Sequence, residues 1–210
     1  MTENDLRERL AMHGDALYRR GLAPGSSGNM SVRLEDGLLV TPTNSCMGRL
    51  DPARISKLSW DGTHLDGDKP SKEAFLHLAM YQERPDDDAI VHLHSSHSVA
   101  VSCMADLDEA DVLPPITAYY IMRIGKLPLL PYYRPGDMAL AEAVRKAARS
   151  HHAMLLANHG PVVAGKSLDA AVYNAEELEE TAKLFLMLRG CETRWLNDEQ
   201  IAALREAFPN

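Results

Sequence analysis

Residues 91–98 read VHLHSSHS, which places three histidines within eight positions. His92 and His94 are two apart and follow the apolar pair Ile90-Val91. In a β-strand, residues two apart point to the same face. Two imidazoles so placed are close enough to ligate one metal ion. Zinc takes imidazole nitrogen readily, and a catalytic zinc keeps three protein ligands and one open position. A third ligand has to come from elsewhere in the chain. His159 is the candidate, in LLANHGP at the end of an apolar segment, because Gly160 behind it permits a tight turn. A lone histidine is more often a satisfied core or surface residue than a ligand. His13, His64, His77, His97, His151 and His152 lack the placement of the other three. His97 has the opposite strand parity, and His151-His152 closes a helix, where imidazolium suits the negative dipole end.

A metal site that does chemistry on a carbon acid needs a base. Glu73 stands in PSKEAF, in the first turn of an expected helix. Acidic residues are common there because a helix N-terminus favours negative charge. Ser71 and Lys72 stand beside it, where free N–H groups can bind an anion. Two other loops share this small, polar character: GSSGNMS at 25–31 and TPTNS at 41–45. Glycine lets backbone N–H groups approach a phosphate closely. Neither loop is a Walker motif or a dinucleotide fingerprint, and each taken singly reads as a turn.

These residues have to be carried by regular elements. Residues 4–20 have helical periodicity through Leu6, Leu10, Met12, Ala16 and Leu17, and Gly21 stops them. The glycine-serine loop then runs into a strand. LEDGLLVTP predicts a hairpin around Asp36-Gly37, ISKLSW a short strand, and DGTHLDGDKP only turns. SKEAFLHLAMYQER is an amphipathic helix with Ser71 as its cap. AIVHLH reads as a strand and SHSVAVSCMA as a helix. Residues 111–135 carry proline pairs and aromatics, with LPLLPYY extended. GDMALAEAVRKAARS is a helix capped near Asp137, and AMLLAN and PVVAG are two buried strands around His159-Gly160. The longest helix runs from a Ser167 cap to a Gly190 stop, and CETRWLNDEQIAALREAFPN holds a further short helix. Interleaved strands and helices with no linker and no repeat predict one α/β domain over residues 1–210.

Composition narrows the partners. The formal charge is −8, so no net field favours nucleic acid, although a local pocket can still be cationic. No apolar run approaches the roughly 20 residues that span a bilayer, so no membrane partner is expected. The first 20 residues are charged throughout, so no signal peptide is expected there. Three scattered cysteines fit thiols in a reducing compartment better than a disulfide framework, which points to the cytoplasm.

Taken jointly, GSSGNMSVR, TPT, PSKE, HLHSSHS and NHGPVVAG resemble the class II aldolase/adducin family, in its order and at its spacing, over about residues 5–190. The resemblance implies a three-layer α/β/α sandwich around a central mixed, largely antiparallel sheet. It also implies a fourfold-symmetric homotetramer with one zinc ion per subunit near a subunit boundary. Carried over residue by residue, His92, His94 and His159 bind zinc and Glu73 is the acid/base. Gly28-Asn29, Thr43-Asn44 and Ser71-Lys72 hold the substrate phosphate. Two departures stand out. Thr43-Asn44 replaces the Thr-Gly pair of the fuculose-phosphate aldolases, and Ser71-Lys72 replaces their Ser-Ser pair, adding a cation at the anion site. Those aldolases also use a tyrosine from a neighbouring subunit as acid; Tyr119 or Tyr120 is available here, and Tyr119 is the candidate.

Within the family, PSKE, GRLDPARISKL and NAEELEETAKLFLMLRG look most like the members that decarboxylate 3-oxo-tetronate 4-phosphate. That similarity implies a phosphorylated four-carbon keto acid as substrate, and dihydroxyacetone phosphate and CO2 as products through an enediolate. A sugar-phosphate aldolase makes the same enediolate and differs in releasing an aldehyde, so it is the alternative. A non-enzymatic binding module of the adducin kind is the remote alternative, and the full set of three histidines and Glu73 argues against it.

Overall fold

Leu38–Val40 and Ala89–Val91 are apolar at consecutive positions, which suits strands covered on both faces. The computed structural model describes residues 1–134 and 136–208 and builds them around such a sheet. Its strands are β1 (Asn29–Arg33), β2 (Gly37–Val40), β3 (Ser56–Ser59), β4 (His64–Asp66), β5 (Ala89–His92), β6 (Leu129–Leu130), β7 (Ala153–Leu156) and β8 (Gly160–Gly165). Their order is β4-β3-β2-β1-β5-β8-β7-β6. Every pairing is antiparallel except β6 with β7.

Helices cover both faces. On one side α1 (Glu3–Arg19), α3 (Ser96–Ser102), α4 (Ala118–Arg123) and α6 (Leu168–Leu188) contribute Leu10, Val101, Ile121 and Leu178 to a core with Met30, Val91 and Val163 of the sheet. On the other side α2 (Ala74–Glu83) and α5 (Met138–Ala148) pack Leu76, Met80 and Val144 on Leu38, Ile90, Met154 and Val162. Strand alternation produces this division: Met30 and Val32 face the first layer, while Asn29 and Ser31 face α2. The chain is therefore an α/β protein with a mixed, largely antiparallel central sheet and helices on either face, as expected. A last helix, α7 (Asp198–Ala207), packs beside α4. No helix of the described residues is long and apolar enough to cross a membrane.

The expected caps at Asp137 and Ser167 are present, each accepting a backbone N–H of the following turn. Four local readings change. The exposed strand β4 lies where only turns were expected, because an edge strand with no buried residue leaves no apolar signal. Helix α4, capped by Thr117, sits within the proline-rich stretch. Strand β5 ends at His92, so His94 lies just beyond it. Helix α2 starts at Ala74 with Glu73 at its N-cap, and Ser71 instead accepts from the Glu73 N–H in a preceding turn. The physical reason for the last change is that the Glu73 carboxylate is drawn to the histidines rather than folded back on the helix amides.

Candidate active site

His92, His94 and His159 converge although they come from two separate stretches of backbone. His92 ends β5, His94 stands two residues on, and His159 leaves the turn between β7 and β8. Nε2 of His92 lies 3.2 Å from Nε2 of His94 and 3.3 Å from Nε2 of His159. Two glycines make the approach possible. Gly28 has φ +76°, and a Cβ there would meet the His92 carbonyl oxygen at 2.8 Å. Gly160 has φ +152°, and a Cβ there would fall 2.2 Å from the Leu93 carbonyl oxygen. Nδ1 of His92 donates to the Pro161 carbonyl oxygen at 2.8 Å, which leaves Nε2 with a free lone pair aimed at the cluster.

Glu73 closes the fourth side. Its Oε1 is 3.1 Å from Nε2 of His159 and its Oε2 is 3.4 Å from Nε2 of His92. One ligand-type atom from each of the four residues lies within 4.8 Å of the others, an arrangement that can hold a metal ion. Burial pushes the Glu73 carboxyl up, but the His159 and His92 imidazoles beside it outweigh burial and hold it well below the usual carboxylate range. Burial, and then the nearness of the His92 and His159 imidazoles, lowers His94 to about 4. The resting site thus favours neutral imidazole at His94 and an ionised carboxylate at Glu73, the forms that ligate cations.

The three polar loops meet beside this cluster. Gly28, Asn29, Thr43, Asn44, Ser71, Lys72, Glu73 and His94 line one cavity of about 270 Å³. A larger cavity of about 580 Å³ adjoins it across Thr43 and Asn44, and none of the four clustered residues lines it. Asn44 has φ +56°, a left-handed conformation that glycine and asparagine both tolerate. An asparagine in place of glycine is therefore compatible with the backbone seen at this position. Lys72 is exposed at the cavity and has no ion pair among the described residues. Tyr119 is 60% exposed on α4 and lines neither cavity, so its own chain's cleft does not include it. Tyr120 is buried, its hydroxyl has no hydrogen-bond partner among the described residues, and burial pushes its pKa up.

Two features were not anticipated. Nδ2 of Asn29 donates to Oε2 of Glu73 at 2.8 Å, and Oδ1 of Asn29 lies 2.5 Å from Nε2 of His77. His77 had no assigned role from sequence, yet it is fully buried, and burial, then the nearness of the His92 imidazole, lowers it to about 3. The signal was available: Glu73 and His77 are four apart at a helix start, opposite the alternating polar pair Asn29 and Ser31. His97 is explained by Glu179 of α6. That buried carboxylate accepts from the backbone N–H of His97 and of Ser98, and contacts Nδ1 of His97 at 2.8 Å. It thereby anchors the start of α3 directly after the His94 segment.

Known proteins resemble this chain over nearly its whole length. The family model described as Class II Aldolase and Adducin N-terminal domain matches residues 8–186. The chain is 52% identical over 204 residues to the 3-oxo-tetronate 4-phosphate decarboxylase of Escherichia coli strain K12, covering 97% of this chain and 96% of that one. It is 34% identical over 212 residues to the L-fuculose phosphate aldolase of the same strain, covering 99% and 96%. Among solved structures, YgbL from Escherichia coli superposes with a TM-score of 0.95 at 50% identity, covering 97% of this chain and 99% of that one. An L-fuculose 1-phosphate aldolase superposes with a TM-score of 0.86 at 27% identity, covering 98% and 97%. With its fold, its cluster of three histidines and a glutamate, and its three loops in place, this chain belongs to the class II aldolase and adducin family.

Proposed function

We propose that the chain is a metal-dependent carbon–carbon lyase that decarboxylates 3-oxo-tetronate 4-phosphate to dihydroxyacetone phosphate and CO2. The observation that carries this reading is the convergence of Glu73, His92, His94 and His159 at one end of a cleft walled by three small-polar loops. The choice of leaving group rests on relatives: those named as decarboxylases are 46–52% identical, those named as fuculose phosphate aldolases 34–35%.

The donor set fits zinc, with three imidazole nitrogens, a carboxylate oxygen, and one tautomer held by Pro161. His92, His94 and His159 would hold the ion, one per subunit, with Glu73 near it. Bound there, zinc supplies Lewis-acid stabilisation of developing oxyanion charge, worth several kcal/mol.

The chain's own residues do the rest. Decarboxylation breaks the C1–C2 bond, leaves the electron pair spread over C2, C3 and the 3-oxygen, and requires a proton at C2 after CO2 departs. Glu73 is the group placed to take up that proton from solvent water and pass it to C2, returning to the carboxylate. Asn29 fixes its Oε2. Lys72, Ser71, Thr43, Asn44 and Gly28, with Asn29, hold the phosphate end so that C2 stays in reach of Glu73. CO2 leaves without a proton, so this reaction asks nothing of Tyr119. The exposure of Tyr119 supports service to a neighbouring cleft in a homotetramer, where an aldehyde-releasing reaction would use it. The three cysteines are free, which supports a reducing, cytoplasmic setting.

The test supplies zinc-restored enzyme with 3-oxo-tetronate 4-phosphate and follows CO2 and dihydroxyacetone phosphate together, with L-fuculose 1-phosphate in parallel. Equal release of both products, abolished by a chelator, is expected. Cleavage of the sugar phosphate with no CO2 from the keto acid would return the chain to the aldolases.

A further inference from the structure

Beneath Glu73 runs a buried chain of polar side chains that the reaction as described does not use. Tyr81 OH lies 2.9 Å from Ser31 Oγ, Ser31 Oγ 2.7 Å from Nδ1 of His77, and Nε2 of His77 2.5 Å from Oδ1 of Asn29. The chain ends where Nδ2 of Asn29 meets Glu73. All four residues below Glu73 are buried, so water cannot substitute for a lost member.

The direction of this chain follows from its upper end. An ionised carboxylate only accepts, so Asn29 has to present its NH2 group to Glu73 and its oxygen to His77. His77 then donates from Nε2, and its Nδ1 is the acceptor. Ser31 donates to that Nδ1, and Tyr81 donates to Ser31. The reverse order would leave Tyr81 only the Asp88 carbonyl oxygen, 3.5 Å away, and would turn the Asn29 oxygen toward the Glu73 carboxylate. An amide does not conduct protons as a hydroxyl or imidazole does, so Asn29 makes this an orienting chain.

We propose that His77 is a positioning residue that, through the Asn29 amide, holds the Glu73 carboxyl in the orientation from which it exchanges a proton with substrate carbon. This rests on the role of Glu73 proposed above. Ser31 and Tyr81 serve by holding His77 in the Nε2–H form. The chain also ties α2 to β1 at the point where the metal-type cluster is assembled.

Two measurements test it. Nitrogen NMR of histidine-labelled wild-type enzyme reads the tautomer without any substrate, and His77 is expected as neutral Nε2–H. An Nδ1–H or a charged His77 at neutral pH overturns the proposal. In kinetics, His77→Leu should lower kcat by about tenfold to a hundredfold, with KM within about twofold. His77→Gln, whose amide can still donate to Asn29, should restore most of kcat. Equal loss in both variants, or a change confined to KM, overturns it. If His77→Leu does not fold, the tautomer measurement and Ser31→Ala, with the same expected kcat loss, decide. The kinetics use whichever substrate the wild-type enzyme cleaves. Absence of CO2 release thus refutes the decarboxylase reading, while the tautomer and the Gln rescue judge His77 separately.

Discussion

Nδ1 of His92 and the carbonyl oxygen of Pro161 are 2.8 Å apart, and this one contact ties the ligand geometry to the pairing of β5 with β8. Because the ring is anchored on the neighbouring strand, its Nε2 cannot turn away from His94 and His159.

His92→Ala should therefore lower bound zinc sharply, measured as metal per subunit after dialysis. Full occupancy in that variant would remove His92 from the ligand set. Chelator treatment of the wild type should abolish turnover, and added zinc should restore it.

Glu73→Gln keeps the shape of the side chain and removes its ability to exchange a proton. Turnover should fall by at least about a hundredfold, while the three histidines keep zinc bound. Unchanged turnover would sink the acid/base role.

Lys72 is exposed at the cavity without an ion pair among the described residues, so its ammonium is available to an anionic ligand. Lys72→Ser should raise KM for a phosphorylated substrate by about tenfold, a loss of about 1.4 kcal/mol of charge-assisted binding. The effect should shrink as salt is added. Equal KM values at low salt would place the phosphate elsewhere.

Asn44 sits at φ +56°. Asn44→Ala should cost about 1 kcal/mol of stability in urea unfolding, because a Cβ without a local hydrogen bond disfavours this region. Asn44→Gly should be nearly neutral. The opposite order would mean that the Asn44 side chain, rather than its backbone conformation, is what the position requires.

Acid should destabilise the protein through His77. Its folded-state value is about 3 against an ordinary 6.5, so the unfolded chain binds more protons in that interval. Stability is then full above 6.5 and falls as pH drops towards 3. Burial pushes the Glu179 carboxyl up, but Ser98 and the backbone N–H groups of His97 and Ser98 outweigh it and hold it low, adding a loss of the same sign below 4.5. Urea unfolding at about pH 7 and about pH 5 should give a slope shallower by about 1 kcal/mol per pH unit in His77→Gln than in the wild type. Equal slopes would contradict a neutral buried His77.

Much of the site was legible in the sequence because its residues are carried on short motifs. The His92/His94 spacing survives the early end of β5, since backbone two residues apart still turns both rings to one side. The caps at Asp137 and Ser167 and the buried strands around His159-Gly160 were readable because turn chemistry and apolar runs are local. Strand β4 and helix α4 were not, because an exposed edge and a short helix between prolines carry little periodicity.

The sequence by itself thus determined which residues were available for metal and anion chemistry, and the α/β order that carries them. Only the tertiary structure decided that Glu73 leaves its helix to meet His92 and His159, and that His97 belongs to Glu179. It also decided that His77 reaches Glu73 through Asn29. The physical reason is distance along the chain: Asn29 and His77 are 48 residues apart, and Glu179 is 82 from His97. No local propensity encodes such pairs. They form because strand alternation turns Asn29 and Ser31 toward α2, and because a buried polar group has to find a partner there.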